Sequence, residues 1–202
     1  MRAAELALIF SLVVSLTAFL PLFFSLRGSH EALQENAEPA NFIAVGKPLP
    51  RFTLRNAHGE EIELESFRGK VVLIFFGYTN CPDYCPLALR RFSELIRLLG
   101  QRSSEVVMIF ITTDPVRDSP EALSRFAGRY SDRIVALTGD WDELAKVWRE
   151  YHVRVPEDDG KGGFISHSAV IYVADRNLVL REILTPEMTA ESALERIMPL
   201  LS

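Results

Sequence analysis

"KVVLIFFGYTNCPDYCPLAL", residues 70–89, runs from an apolar stretch through the only two cysteines of the chain into an apolar–polar repeat. Residues 70–76 are short, rich in β-branched side chains and apolar after Lys70, the pattern of a strand buried on both faces. Leu87, Leu89, Phe92, Leu95, Ile96 and Leu99 then recur at helical spacing up to Gly100, a helix stop. In open α/β sheets function gathers at the carboxyl ends of strands. Cys81 and Cys85 fall just past such an end.

Reading outward, the same alternation continues on both sides. Residues 50–67 alternate apolar and polar residues about His58-Gly59, as a β-hairpin does. "VVMIFITT" (106–113) and "RIVALTG" (133–139) are further buried strands. Ser119 and Pro120 open one helix as N-cap and first residue, and Asp140 caps another. Residues 168–183 read as two strands about a turn at Asp175–Asn177, and residues 185–201 as a last helix. Helices alternating with apolar strands predict a mostly parallel sheet with helices on its faces.

Before the sheet, residues 6–26 carry no charge. A helix of that length spans about 30 Å, one hydrocarbon core. A cleaved signal peptide is the competing reading, but the apolar run exceeds the usual ~7–15 residues and no small-x-small site ends it. The organisation expected is a short flank (1–5), a transmembrane anchor (6–26), a polar tether (27–44) and one folded domain (45–202). Positive residues flank the span almost evenly, so its orientation stays open on that rule. The net charge of −5 leaves no basic footprint for nucleic acid. The domain is expected to be monomeric.

Two cysteines are too few for a disulfide scaffold. A bridge between Cys81 and Cys85 would close a very small loop and restrict the unfolded chain little. Each cysteine precedes a proline, and proline suits the first turn of a helix. There the free N–H groups and the helix dipole favour thiolate. A regular helix starting at Pro86, or an irregular first turn over 82–86, would both let the two sulfurs point the same way. The segment reads as a loop rather than a core. Paired thiolates serve as soft ligands for Cu(I) or zinc, or as a redox pair. A structural zinc site wants four ligands, and no second cysteine pair exists.

Of the four histidines, His30 lies in the tether, His58 in the hairpin turn and His152 just after a helix. All three read as solvent-facing. His167 lies between the glycine-rich "GKGG" (160–163) and the strand "SAVIYV". A hydrogen-bonded structural histidine and a ligand carried on a pliable loop are both open readings. The glycine run lacks the Lys-Ser/Thr ending of a phosphate loop.

Four blocks in order, "GYTNCPDYCP", "TTDPVRDSPEAL", "ALTGDWDELAKVWREYHV" and "SHSAVIYVADRN", resemble the Sco (SCO1/SenC/PrrC) family. The resemblance runs over about residues 45–202, plus the anchor. It implies a thioredoxin-like α/β fold: a central mixed sheet flanked by helices, with an N-terminal β-hairpin, behind a membrane helix. It implies one copper, Cu(I) or Cu(II), held by Cys81, Cys85 and His167. Asp114, in the DPVRD block, is a candidate for fixing the ligand loop, although an aspartate before Pro115 also suits a plain turn.

The resemblance further implies a chaperone that assists the dinuclear copper site of cytochrome c oxidase subunit II. The alternative is a thiol–disulfide reductase that keeps the cysteines of that site reduced, with Cys81 attacking and Cys85 resolving. Another periplasmic copper chaperone or a thioredoxin-like reductant would be a further partner. No arginine-rich transit peptide precedes the anchor. The expected location is therefore the bacterial inner membrane, single-pass, with the domain in the periplasm.

Overall fold

A computed structural model describes residues 43–155 and 169–202. The anchor at 6–26, all but the last two residues of the tether, His30, the glycines at 160–163 and His167 lie outside the described residues. Among the described residues no helix is long and apolar enough to cross a membrane.

Strands β1 (Thr53–Arg55) and β2 (Glu61–Glu63) form the expected antiparallel hairpin. Its turn is held by the Asn56 side chain, which accepts from the N–H groups of His58 and Glu60, while Gly59 takes a positive φ of 78°. Strand β3 (Val71–Gly77) follows, then helix α1 (Tyr84–Leu99), β4 (Val106–Thr112), α2 (Pro120–Gly128) and β5 (Ile134–Leu137). Helix α3 (Trp141–Glu150), β6 (Ile171–Ala174), β7 (Leu180–Leu184) and α4 (Ala190–Ile197) complete the order. The caps read from sequence hold: Ser119 Oγ accepts from Ala122 N–H, and Asp140 forms a capping box with Glu143.

The main sheet has the order β5-β4-β3-β6-β7. The pairs β3–β4 and β4–β5 are parallel, whereas β3–β6 and β6–β7 are antiparallel. The expectation of a mostly parallel sheet therefore fails, and the mixed sheet implied by the family resemblance is found. For the β6–β7 pair the reason is local. The turn at Asp175–Leu178 is far too short for a parallel crossover, so β7 must run against β6.

Alternate residues of the apolar strands feed two cores. Leu73, Phe75, Met108 and Phe110 pack with α1, α2 and α4 on one face. Ile74, Phe76, Ile109 and Ile111 pack with the hairpin and α3 on the other. Both faces are covered, which is why these strands show no polar alternation. Trp148 and Tyr151 extend the second core, and their polar atoms are satisfied by the carbonyls of Thr112 and Pro50. Position 77 closes the central strand, and the chain turns there into the cysteine loop.

Candidate metal centre

The loop begins with Cys81 N–H donating to the Tyr78 carbonyl at 3.2 Å. Helix α1 starts at Tyr84, with Asp83 as an N-cap whose side chain makes no capping bond. Regular helix thus begins two residues ahead of Pro86, and the alternative of an irregular first turn is not realised. Pro86 lies in the first turn, where a missing N–H costs nothing. The free N–H of Cys85 is instead taken by Cys81 Sγ at 3.5 Å. A sulfur does the work of a capping side chain.

Both cysteines are free thiols, and both are buried: Cys81 is 9% exposed and Cys85 0%. The expectation that they sit in a loop outside the core is corrected. Cys85 is already helical, and its side chain faces the sheet beneath α1, within the same core as Phe110. Its bed is shaped by Gly77. A Cβ at Gly77 would lie 2.5 Å from Cys85 Sγ and 2.9 Å from the Phe110 ring. Only glycine lets β3 pass this close.

Burial and the helix terminus divide the pair into unlike thiols. Cys81 is lowered to about 5 by the hydrogen bond from the Cys85 thiol, assisted by the N–H groups of Cys85, Asp83 and Tyr84. Cys85 is raised far above the ordinary thiol range, first because its proton is held by Cys81, then by burial. Tyr78, 5% exposed, is also raised, by burial and by the neighbouring sulfurs. Cys81 is thus the more acidic of the two sulfurs, and Cys85 is the one that keeps its proton.

Beside the cysteines stands a polar network that sequence reasoning missed in part. Asp118 is 1% exposed. It accepts from Thr79 N–H at 3.1 Å, from the Thr79 hydroxyl, and from the Thr112 hydroxyl at 2.8 Å. Burial pushes its carboxyl up, partly offset by those donors. Asp114, the residue singled out from sequence, instead ties its own turn. It pairs with Arg117, and its carbonyl accepts from Asp118 N–H at 2.9 Å. The loop-fixing role therefore divides: Asp114 shapes the turn, and Asp118 reaches across to the cysteine loop. The only hint of Asp118 in the sequence was its place in the same DPVRD block. Gly77 and Thr79 likewise had no signal beyond their place in the "GYTNCPDYCP" block.

Among the described residues no group of three or more histidine, cysteine or acidic side chains is placed to hold a metal. Cys81 and Cys85 offer two sulfur donors, and His167 lies outside the described residues. His58 is exposed in its turn, and His152 is an exposed helix-ending residue with a φ of 54°. Strand β6 pairs its first residue, Ile171, with Phe75 of β3. It therefore starts at the end of the sheet where β3 delivers the cysteines.

The sequence model described as SCO1/SenC matches residues 43–202. An SCO2-like protein of Rickettsia prowazekii is 33% identical over 139 residues, covering 67% of this chain and 66% of that protein. The chain thus spans about two thirds of that relative's length. The structure of Bradyrhizobium japonicum ScoI with copper bound shares 35% identity at a TM-score of 0.67, covering 78% of this chain and 100% of that one. Yeast Sco1, also with copper bound, shares 27% at 0.68, covering 76% and 87%. The mixed sheet with flanking helices matches theirs, and the thioredoxin-like fold holds for the described residues.

Proposed function

The chain belongs to the SCO1/SenC family, and from that premise we propose that it is a copper chaperone. It binds one copper ion through Cys81, Cys85 and His167 and delivers it to the dinuclear copper site of cytochrome c oxidase subunit II. The observation that carries the reading is the cysteine pair. Two sulfurs converge at a helix N-terminus, where Cys81 is lowered to about 5, and soft thiolates are the ligands Cu(I) prefers. Relatives of the same fold were solved with copper bound. The third donor finds support in topology. His167 stands four residues before Ile171, and β6 starts beside the end of β3.

The same asymmetry supports a second reading, a thiol–disulfide reductase. The Cys81 thiolate attacks a partner disulfide and releases one partner thiolate. Cys85 then displaces the second sulfur, leaving a Cys81–Cys85 disulfide and a reduced partner. The uncharged run at 6–26 supports a single-pass anchor in the bacterial inner membrane, with residues 45–202 in the periplasm as a monomer.

The test is copper titration of the reduced full chain beside its variants. Wild type takes up about one copper, and Cys85→Ser loses both Cu(I) and Cu(II). His167→Ala retains part of its Cu(I) binding, because the thiolates remain. It loses much of its Cu(II) affinity and the visible thiolate-to-copper absorption, because nitrogen is the donor Cu(II) prefers. A His167→Ala protein that binds Cu(II) like wild type removes the histidine from the site. A chain that reduces a dithiol peptide's disulfide but takes up no copper replaces the first reading by the second.

A further inference from the structure

We propose that Asp118 is a positioning residue for the cysteine loop, acting on Cys81 through Thr79. The inference rests on the cysteine site described above and adds to it the part that holds the loop in shape.

Asp118 belongs to the turn before α2, not to the cysteine loop. Its carboxylate nonetheless takes both donors of Thr79, the N–H and the hydroxyl. Thr79 is two residues ahead of Cys81. The second oxygen also accepts from Thr112 at the end of β4. One buried carboxylate therefore clamps the turn after β3 onto the end of β4. The cation of its own turn does not serve it, because Arg117 pairs with Asp114. Among the described residues this carboxylate has three donors and no paired cation, an arrangement that is costly unless every bond is kept.

The clamp matters because of what lies just beyond it. The Cys81 sulfur receives the Cys85 N–H only while the loop turns back over the helix start. The turn is made by Tyr78, whose carbonyl takes Cys81 N–H, and by Thr79, which Asp118 holds. Release of Thr79 frees the loop between a rigid strand end and the helix. Cys81 then loses its alignment with the N–H groups that stabilise its thiolate, and both sulfurs lose their common direction.

The experiment uses the full chain in the reduced state, with Thr79→Val, Thr79→Ser and Asp118→Asn. Thr79→Val removes one hydroxyl and leaves the carboxylate charge in place. Two readouts are taken: the rate of Cys81 alkylation by iodoacetamide across pH 4.5–8, and Cu(I) affinity by competition with a chromogenic chelator. Thr79→Val slows alkylation at pH 5 by about fivefold or more, with the rates converging toward pH 8, and weakens Cu(I) by about tenfold. Thr79→Ser restores both. Asp118→Asn behaves like Thr79→Val, although loss of a negative charge near the sulfurs would by itself speed alkylation.

Thr79→Val with a wild-type pH profile overturns the proposal, as does Thr79→Ser failing to rescue. Faster alkylation in Asp118→Asn reduces Asp118 to a charge and overturns it too. A folded wild type that takes up no copper, while the alkylation pattern holds, sinks the copper reading and leaves the positioning role standing. Should Thr79→Val not fold, Asp118→Asn and Thr79→Ser still decide between clamp and charge.

Discussion

The two ends of the sheet are held together in opposite ways. At the carboxyl ends of β3 and β4, Thr79, Thr112 and Asp118 share a few bonds around one buried carboxylate, beside two buried sulfurs. At the other end, half-exposed arginines tie loops to one another. Arg176 bonds the carbonyls of Gly69 and Leu201 and pairs with Glu105, and Arg102 bonds Glu105 and Leu201 as well. Arg181 pairs with Asp175 there. The far end is redundant and solvated, so losing one contact leaves others, and each is worth little. Among the described residues the cysteine end shows no second partner for these groups, and each unmade bond there leaves a polar atom buried. Shape at the candidate metal centre is bought with fragility.

Several substitutions would break or sharpen that contrast. Gly77→Ala should have the largest effect, since its Cβ collides with Cys85 Sγ and Phe110. It should cost about 3 kcal/mol, the upper part of the overpacking range, and disturb copper uptake with it. A denaturant melt within error of wild type would show that the strand end can yield. Thr112→Val should follow, at about 1–2 kcal/mol, because it strips one donor from Asp118 and the acceptor of Asp114 N–H. An unchanged melting temperature would mean that water enters and replaces the hydroxyl.

Acidity gives a third, smaller probe on the reduced, metal-free chain. Cys81 ionises near 5 when folded and near 8.5 when unfolded. Over that window the unfolded chain binds the extra proton, so stability rises with pH from about 5 to about 8.5. Above it the raised Cys85 thiol acts with the opposite sign, and stability falls again. Asp118, raised by burial, lowers stability with rising pH from about 3.9 up to its own folded pKa. Cys81→Ser isolates the thiolate's share: it should flatten the rise. A rise of equal slope in that variant assigns it to another group. The smallest effect is expected from Arg181→Gln at the far end, less than about 1 kcal/mol and fading with salt. A loss comparable to that of Thr112→Val would erase the distinction between the two ends.

Most of the fold was legible because its signals are local. The apolar run of β3, the Ser119–Pro120 helix start, the Asp140 cap and the Gly59 turn each follow from neighbouring residues. The antiparallel run of β7 was readable from a turn too short for a crossover, whereas the antiparallel run of β6 against β3 is a tertiary pairing that no neighbouring residue announces. In the site, Cys81 and Cys85 stood out by type and spacing. Their burial did not, because it depends on the sheet beneath the helix rather than on the loop itself.

By itself the sequence determined that a strand delivers two cysteines to a helix start, and that this terminus favours thiolate, since strand, proline and helix are read within twenty residues. The sequence reading had already named Cys81 as the attacking thiol; tertiary structure supplied the burial that sets the two sulfurs apart and the residues that hold the loop. Gly77 pairs with Thr112 through the parallel register of β3 and β4. That register sets Thr79 against Asp118, 39 residues away. Hydrogen bonds and close packing act over a few ångströms, and only the folded sheet brings residues so distant in the chain within that range.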